Sequence, residues 1–94
     1  RQSNEVSEMM KVAVNAAYIK YNEALAQNNT LKVNKDLAAE NYRIMESKYN
    51  NQLAILLDLI DASNAKLDAE LQFANSEINI VFAYYKLLKE AGTL

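Results

Sequence analysis

The chain has 94 residues, ten of them basic and twelve acidic, with no histidine, no cysteine, no proline and a single glycine. Average usage would give roughly five prolines and about seven glycines in this length, so strands joined by tight turns are excluded and helix is expected nearly throughout. Disulfides, zinc fingers and imidazole catalysis are excluded as well, and a net charge of −2 with basic residues scattered singly leaves no stripe to release counterions from nucleic acid.

The sequence opens at Arg1, without an initiator methionine or an apolar leader, and so reads as a piece of a longer protein. In chain order, the first expected element is one long helix over about 5–49. Its stripe is Met10, Ala13, Ala17, Tyr21, Ala24, Asn28, Leu31, then Ala38, Tyr42, Met45 and Tyr49, spaced by threes and fours with one skipped turn. The pair Asn28-Asn29 before Thr30 also reads as a turn, which would give a three-helix bundle, but the stripe passes through Asn28 without a change of phase. The same three residues match a glycosylation sequon, a pattern too short to carry weight.

Asn50-Asn51-Gln52 is the strongest interior turn signal, because asparagine is a poor helix-interior residue, a good N-cap and a frequent visitor to left-handed backbone. Periodicity alone would also allow a single rod of about 130 Å. With the break, the turn occupies about 50–54 and a second helix runs over about 55–91. The stripe expected to pair it with the first helix is Leu56, Ile60, Ser63, Leu67, Leu71, Ala74, Ile78, Phe82, Tyr85 and Leu88. Lys86 and Lys89 in the last turns and Gly92 beyond them specify the stop. The expected fold is therefore all-α, a long antiparallel two-helix coiled-coil hairpin. Such a hairpin covers little of its own surface, so other helices should meet it.

No eighteen-residue stretch is free of charged or amide side chains, so no segment is expected to span a bilayer as a helix. Enzyme chemistry is not expected: Asp58 and Asp61, three residues apart, share one helix face and do not flank a substrate. A di-metal carboxylate bundle would need histidine beside its glutamates. No cofactor or metal is expected.

Tyr49, the string Leu57-Asp58-Leu59-Ile60-Asp61-Ala62, then Leu67, Ala69, Glu70, Leu71 and Ala74, and the close Ala91-Gly92-Thr93-Leu94 together resemble the TolC-like outer-membrane efflux proteins. The likeness covers about 41–94; the residues before it match only as a helix of suitable length. Family members usually have glycine at the tip, where this chain has Asn51 or Gln52. Some relatives carry a basic tether residue that would fall at Ala54, and alanine cannot make that bond.

The resemblance implies a hairpin from one repeat of a homotrimeric α-helical tunnel in the periplasm of a Gram-negative bacterium, below an outer-membrane barrel outside this segment. Asn50, Asn51, Gln52 and Leu53 would form the tip that docks a periplasmic adaptor, or membrane fusion protein, of an inner-membrane transporter. Asp58 and Asp61 would line the pore constriction as two rings of carboxylates, and Tyr49 would tether the closed gate. Read from the residues alone, the two acids favour the start of the second helix through its dipole, Tyr49 packs in the seam, and Leu53, Ile55, Leu56 and Leu57 are either packing or an exposed contact patch. The alternative function is a structural coiled-coil scaffold or dimerisation hairpin with no transport role. A conduit should keep a polar stripe, with which Asn64, Gln72, Asn75 and Asn79 are compatible; a scaffold should show two apolar seams with charged flanks.

Overall fold

A computed structural model describes residues 2–92. Two helices account for nearly all of them: α1, Gln2–Asn50, and α2, Leu56–Glu90, joined by five residues. The chain is an all-α helical hairpin. Lys35 lies over Phe73 while Tyr42, one heptad later, lies under Lys66, so the helices run antiparallel. Helix α1 continues without interruption through Asn28-Asn29-Thr30, which removes the three-helix alternative. The glycine at the end of α2 does what its position suggested: Gly92 has φ 76° and its N–H bonds Lys89 O at 3.0 Å. Thr93 and Leu94, which close the family-like ending, lie outside the described residues.

The helices pair in two compact units, one made of Asn29–Asn75 and the other of α1 up to Asn28 with the chain from Ser76 onward. In the unit that contains the turn, the less exposed positions include Leu31, Lys35, Ala38, Tyr42 and Met45 on α1 and Leu59, Ala62, Lys66, Ala69 and Phe73 on α2. In the other they include Ala17, Tyr21, Ala24 and Asn28 on α1 and Ser76, Ile80, Ala83 and Leu87 on α2. Each run alternates threes and fours, the spacing of a coiled-coil seam.

From Ala13 to Met45 the expected stripe of α1 is therefore the one used, with Lys35 filling the skipped turn, while Met10 and Tyr49 at its ends are exposed. The Lys35 ammonium sits 4.5 Å from the centroid of the Phe73 ring, so the stem packs in the seam while the charge rests on an aromatic face. The expected stripe of α2 is not the one used. Leu56, Ile60, Leu67, Leu71, Ile78, Phe82 and Tyr85 are each between 45% and 68% exposed, and the pairing seam lies about one residue, or 100° of helix, away. In the seam actually used, Ala62, Ala69, Ser76 and Ala83 recur every seven residues and alternate with Leu59, Lys66, Phe73, Ile80 and Leu87, so small and large side chains take turns along it.

Among the described residues only Ala17, Ala62 and Ser76 are buried outright. At about 0.8 kcal/mol per buried methylene-sized group, these contribute little to stability, and the largest apolar side chains of α2 contribute least to the hairpin itself.

The turn is built at the end of α1 as a Schellman motif. Leu53 N–H bonds Lys48 O at 2.7 Å and Gln52 N–H bonds Tyr49 O at 3.0 Å, with Gln52 at φ 61°. Asn51 reinforces it by donating both its backbone N–H (3.1 Å) and its side-chain amide (2.9 Å) to Ser47 O. Gln52 thus occupies the left-handed position that glycine fills at least cost. Gln52→Gly is expected to stabilise the hairpin by about 1 kcal/mol, read as a raised thermal midpoint. A lowered midpoint would mean that the glutamine side chain stabilises the turn through its own contacts.

Candidate functional site

The turn presents Asn50, Asn51, Gln52 and Leu53 to solvent, followed by Ile55, Leu56 and Leu57. Leu53 is 77% exposed, although the backbone on either side of it is held by caps. Ile55 is the N-cap of α2: its carbonyl accepts from Asp58 N (3.1 Å) and Leu59 N (3.3 Å). Asp58 returns a long bond, its Oδ2 accepting from Ile55 N at 3.4 Å, one arm of a capping box. The dipole and orphan amides of the first turn favour an acid at this position. The helix-start reading of Asp58 is therefore realised in the fold, and it leaves the second carboxylate oxygen and the whole of Asp61 free for another role.

Asp58 and Asp61 line the same shallow groove, about 250 Å³, with Asn41 and Met45 of α1 and Ala62 and Ala65 of α2. Both are exposed. By helical register they begin a polar stripe that continues through Ala65, Asp68, Gln72 and Asn75, again in threes and fours, with Asn64 beside it. Gln72 Nε2 donates to Asp68 Oδ2 at 2.8 Å, tying two members of the stripe together. Asn79, Phe82 and Lys86 fall on the same register further along α2, so the polar stripe proper ends at Asn79. Among the described residues, no group of three or more acidic side chains is arranged to hold a metal ion.

Tyr49 lies in the last turn of α1, 37% exposed, its carbonyl engaged by the turn. It is less committed to the seam than Tyr42, which lies 5.2 Å from Lys66 Nζ. A hydrogen bond with the Glu46 carboxylate raises the ionisation of the Tyr42 hydroxyl above its ordinary value. Lys66 is also within 3.7 Å of Glu70 Oε1. One flank of the seam near the turn is thus a line of polar contacts, Glu46 to Tyr42 and Lys66 to both Tyr42 and Glu70, and neither lysine of the seam was visible in the apolar periodicity. On the outer surface of α1, Arg43 donates through Nε to Glu40 Oε2 at 3.1 Å and pairs with Oε1, and these bonds hold the Glu40 carboxyl below its usual range. Both partners are well exposed, so the pair adds little to stability.

The Asn28 sequon is not displayed as an acceptor: Asn28 is half-buried and its side-chain amide donates to Ser76 Oγ at 2.9 Å. Two apolar stripes are displayed instead. One is the leucine-rich stripe of α2 described above. The other lies on α1, opposite its seam by helical register, and comprises Met9, Val12 and Ile19 in one unit and Val33, Leu37 and Ile44 in the other, all exposed. No helix is long and apolar enough to cross a membrane among the described residues. No protein-family model, curated protein or solved structure matches the chain.

Proposed function

We propose that this hairpin is a wall element of a closed helical tunnel, the periplasmic segment of a TolC-like outer-membrane efflux or secretion channel. The observation that carries the reading is the division of α2 into three faces: a seam for its own α1, an exposed apolar stripe, and a polar stripe from Asp58 to Asn79. A helix in a cylindrical wall needs all three, since it packs on neighbours to either side and meets water on the face turned to the lumen. The second apolar stripe on α1 supplies the other lateral contact. A two-copy scaffold would need only one such stripe, and it would gain nothing from the run of aspartates and amides.

In this reading the channel is a homotrimer, passive in transport, and the exposed turn from Asn50 to Leu53 docks a periplasmic adaptor coupled to an inner-membrane transporter. Asp58 and Asp61 line the constriction, and Tyr49, only partly held by its own hairpin, tethers the closed gate. Asn51→Pro removes the N–H that bonds Ser47 O, and Leu53→Asp places a charge on the most exposed apolar residue of the turn. Made in the full-length channel, each is expected to lower efflux at least several-fold while the trimer still assembles, read as drug susceptibility beside native-gel mobility. Normal resistance in both variants at normal expression removes the turn from docking. Recovery as a soluble dimer with no outer-membrane fraction favours the scaffold.

A further inference from the structure

In the unit Asn29–Asn75 the two exposed apolar stripes lean to different sides. By helical register Leu37 and Ile44 of α1 turn toward the face that carries Asp58 and Asp61, while Ile60 and Leu67 of α2 turn toward the opposite face. The unit therefore has two oblique apolar edges pointing in opposite directions, and a copy displaced sideways brings its α1 edge to the α2 edge of the first. These four side chains are between 41% and 62% exposed, and Val33 and Leu71 extend the edges. Contiguous exposed apolar surface of this kind marks an interaction site. Charge decides which edge meets which. The α2 edge is bordered by Asp61 and Asp68 on one side and by Ser63 and Glu70 on the other, with no base among the described residues, so two α2 edges would set acids against acids. The α1 edge is bordered by Asn34, Asn41 and Lys48 on one side, and Arg43 on the other side pairs with the one acid inside it, Glu40.

We propose that the α2 stripe of one copy seats on the α1 stripe of a second copy, a heterologous contact between hairpins that stand side by side with their turns level. In that arrangement Lys48, Asn41 and Asn34 of one copy come opposite Asp61, Asp68 and Asn75 of the other, three layers seven residues apart. One pair opposes the fit, Asp36 against Glu70, and Glu70 already has Lys66 within 3.7 Å. A contact between unlike edges leaves one edge free at each end of a dimer, so association continues until a ring closes. The inference deepens the wall-element reading and rests on it for its setting. Its test uses the chain alone, so it can fail while efflux still depends on the turn, and it can succeed in a protein that is no channel.

Two variants of the full chain make the test. Val33→Glu with Leu37→Glu spoils the α1 edge, Leu67→Glu with Leu71→Glu spoils the α2 edge, and none of the four residues lies in the seam. Each variant alone should sediment as a monomer, whereas the native chain should pass beyond a dimer as concentration rises. An equimolar mixture should give a 1:1 heterodimer that grows no further, because it joins the one intact α1 edge to the one intact α2 edge. Its dissociation constant should be at least about 100-fold below that of either variant with itself. The chain has no cysteine, so spin labels at Asn50→Cys in both variants report the arrangement. They should lie about 20 Å apart, two interhelix spacings. Should circular dichroism show that a double variant has lost helix, Leu37→Glu and Leu67→Glu alone take their places and are read in the same way. A mixture that stays monomeric, a variant that dimerises by itself, or a native chain that stays monomeric overturns the pairing of unlike edges. Labels more than about 30 Å apart, the length of a 20-residue helix, overturn the level arrangement.

Discussion

Replacing Leu67 and Leu71 by glutamate is expected to abolish self-association of the chain while leaving its helix content unchanged. Both leucines lie on the α2 stripe that is turned away from α1, and the native chain, with that stripe and its counterpart on α1 uncovered, should associate in solution. Burying a leucine contributes about 1.5–3 kcal/mol, so losing two, with charges placed in the contact, should weaken association by at least 3 kcal/mol, roughly 100-fold or more in dissociation constant. Sedimentation over a range of concentrations reads the first half of the expectation and circular dichroism the second. The two readouts separate two roles for the stripe. If it joined α1 to α2, the substitutions would melt the hairpin; if it meets other molecules, they leave a helical monomer. Unchanged association would show that other surfaces hold the copies together, and a native chain that stays monomeric at all concentrations would show that the stripes do not suffice for it.

The second large effect concerns the acids. In a threefold tunnel Asp58 and Asp61 would supply six carboxylates, and two charges about 6 Å apart at an effective dielectric near 20 repel by roughly 3 kcal/mol. Such rings favour cations, disfavour anions and push a closed constriction open unless protons or metal ions offset the repulsion. Asp58→Asn with Asp61→Asn in the full-length channel, reconstituted in planar bilayers, is expected to remove most of the cation selectivity and to weaken block by multivalent cations from the periplasmic side. The substitution also separates the two roles of Asp58. Asparagine keeps an oxygen that can accept from Ile55 N–H, so the cap at the start of α2 survives while the charge is lost. Unchanged selectivity and block would leave both acids as helix-start residues on an outer surface.

The sequence by itself determined the elements. With no proline and one glycine there was nothing to break a helix except Asn50-Asn51-Gln52, and the chain turns there; Gly92 ends α2 in the left-handed conformation that glycine takes at least cost. The α1 seam was also legible, since its apolar residues fall on one register and the single gap at Lys35 is as long as one turn. These features are local: each follows from backbone preference or from a period along one helix. Which face of α2 meets α1 was not local. Periodicity reports where large apolar side chains are, and α2 carries them on two registers about 100° apart. The one that alternates with Ala62, Ala69, Ser76 and Ala83, namely Leu59, Phe73, Ile80 and Leu87, took the seam, and Leu67, Leu71 and Phe82 were left outside. Tertiary packing likewise placed Lys35 on Phe73, Lys66 on Tyr42 and Asn28 on Ser76, because a buried polar or charged group is stable only beside a partner that one helix alone cannot name.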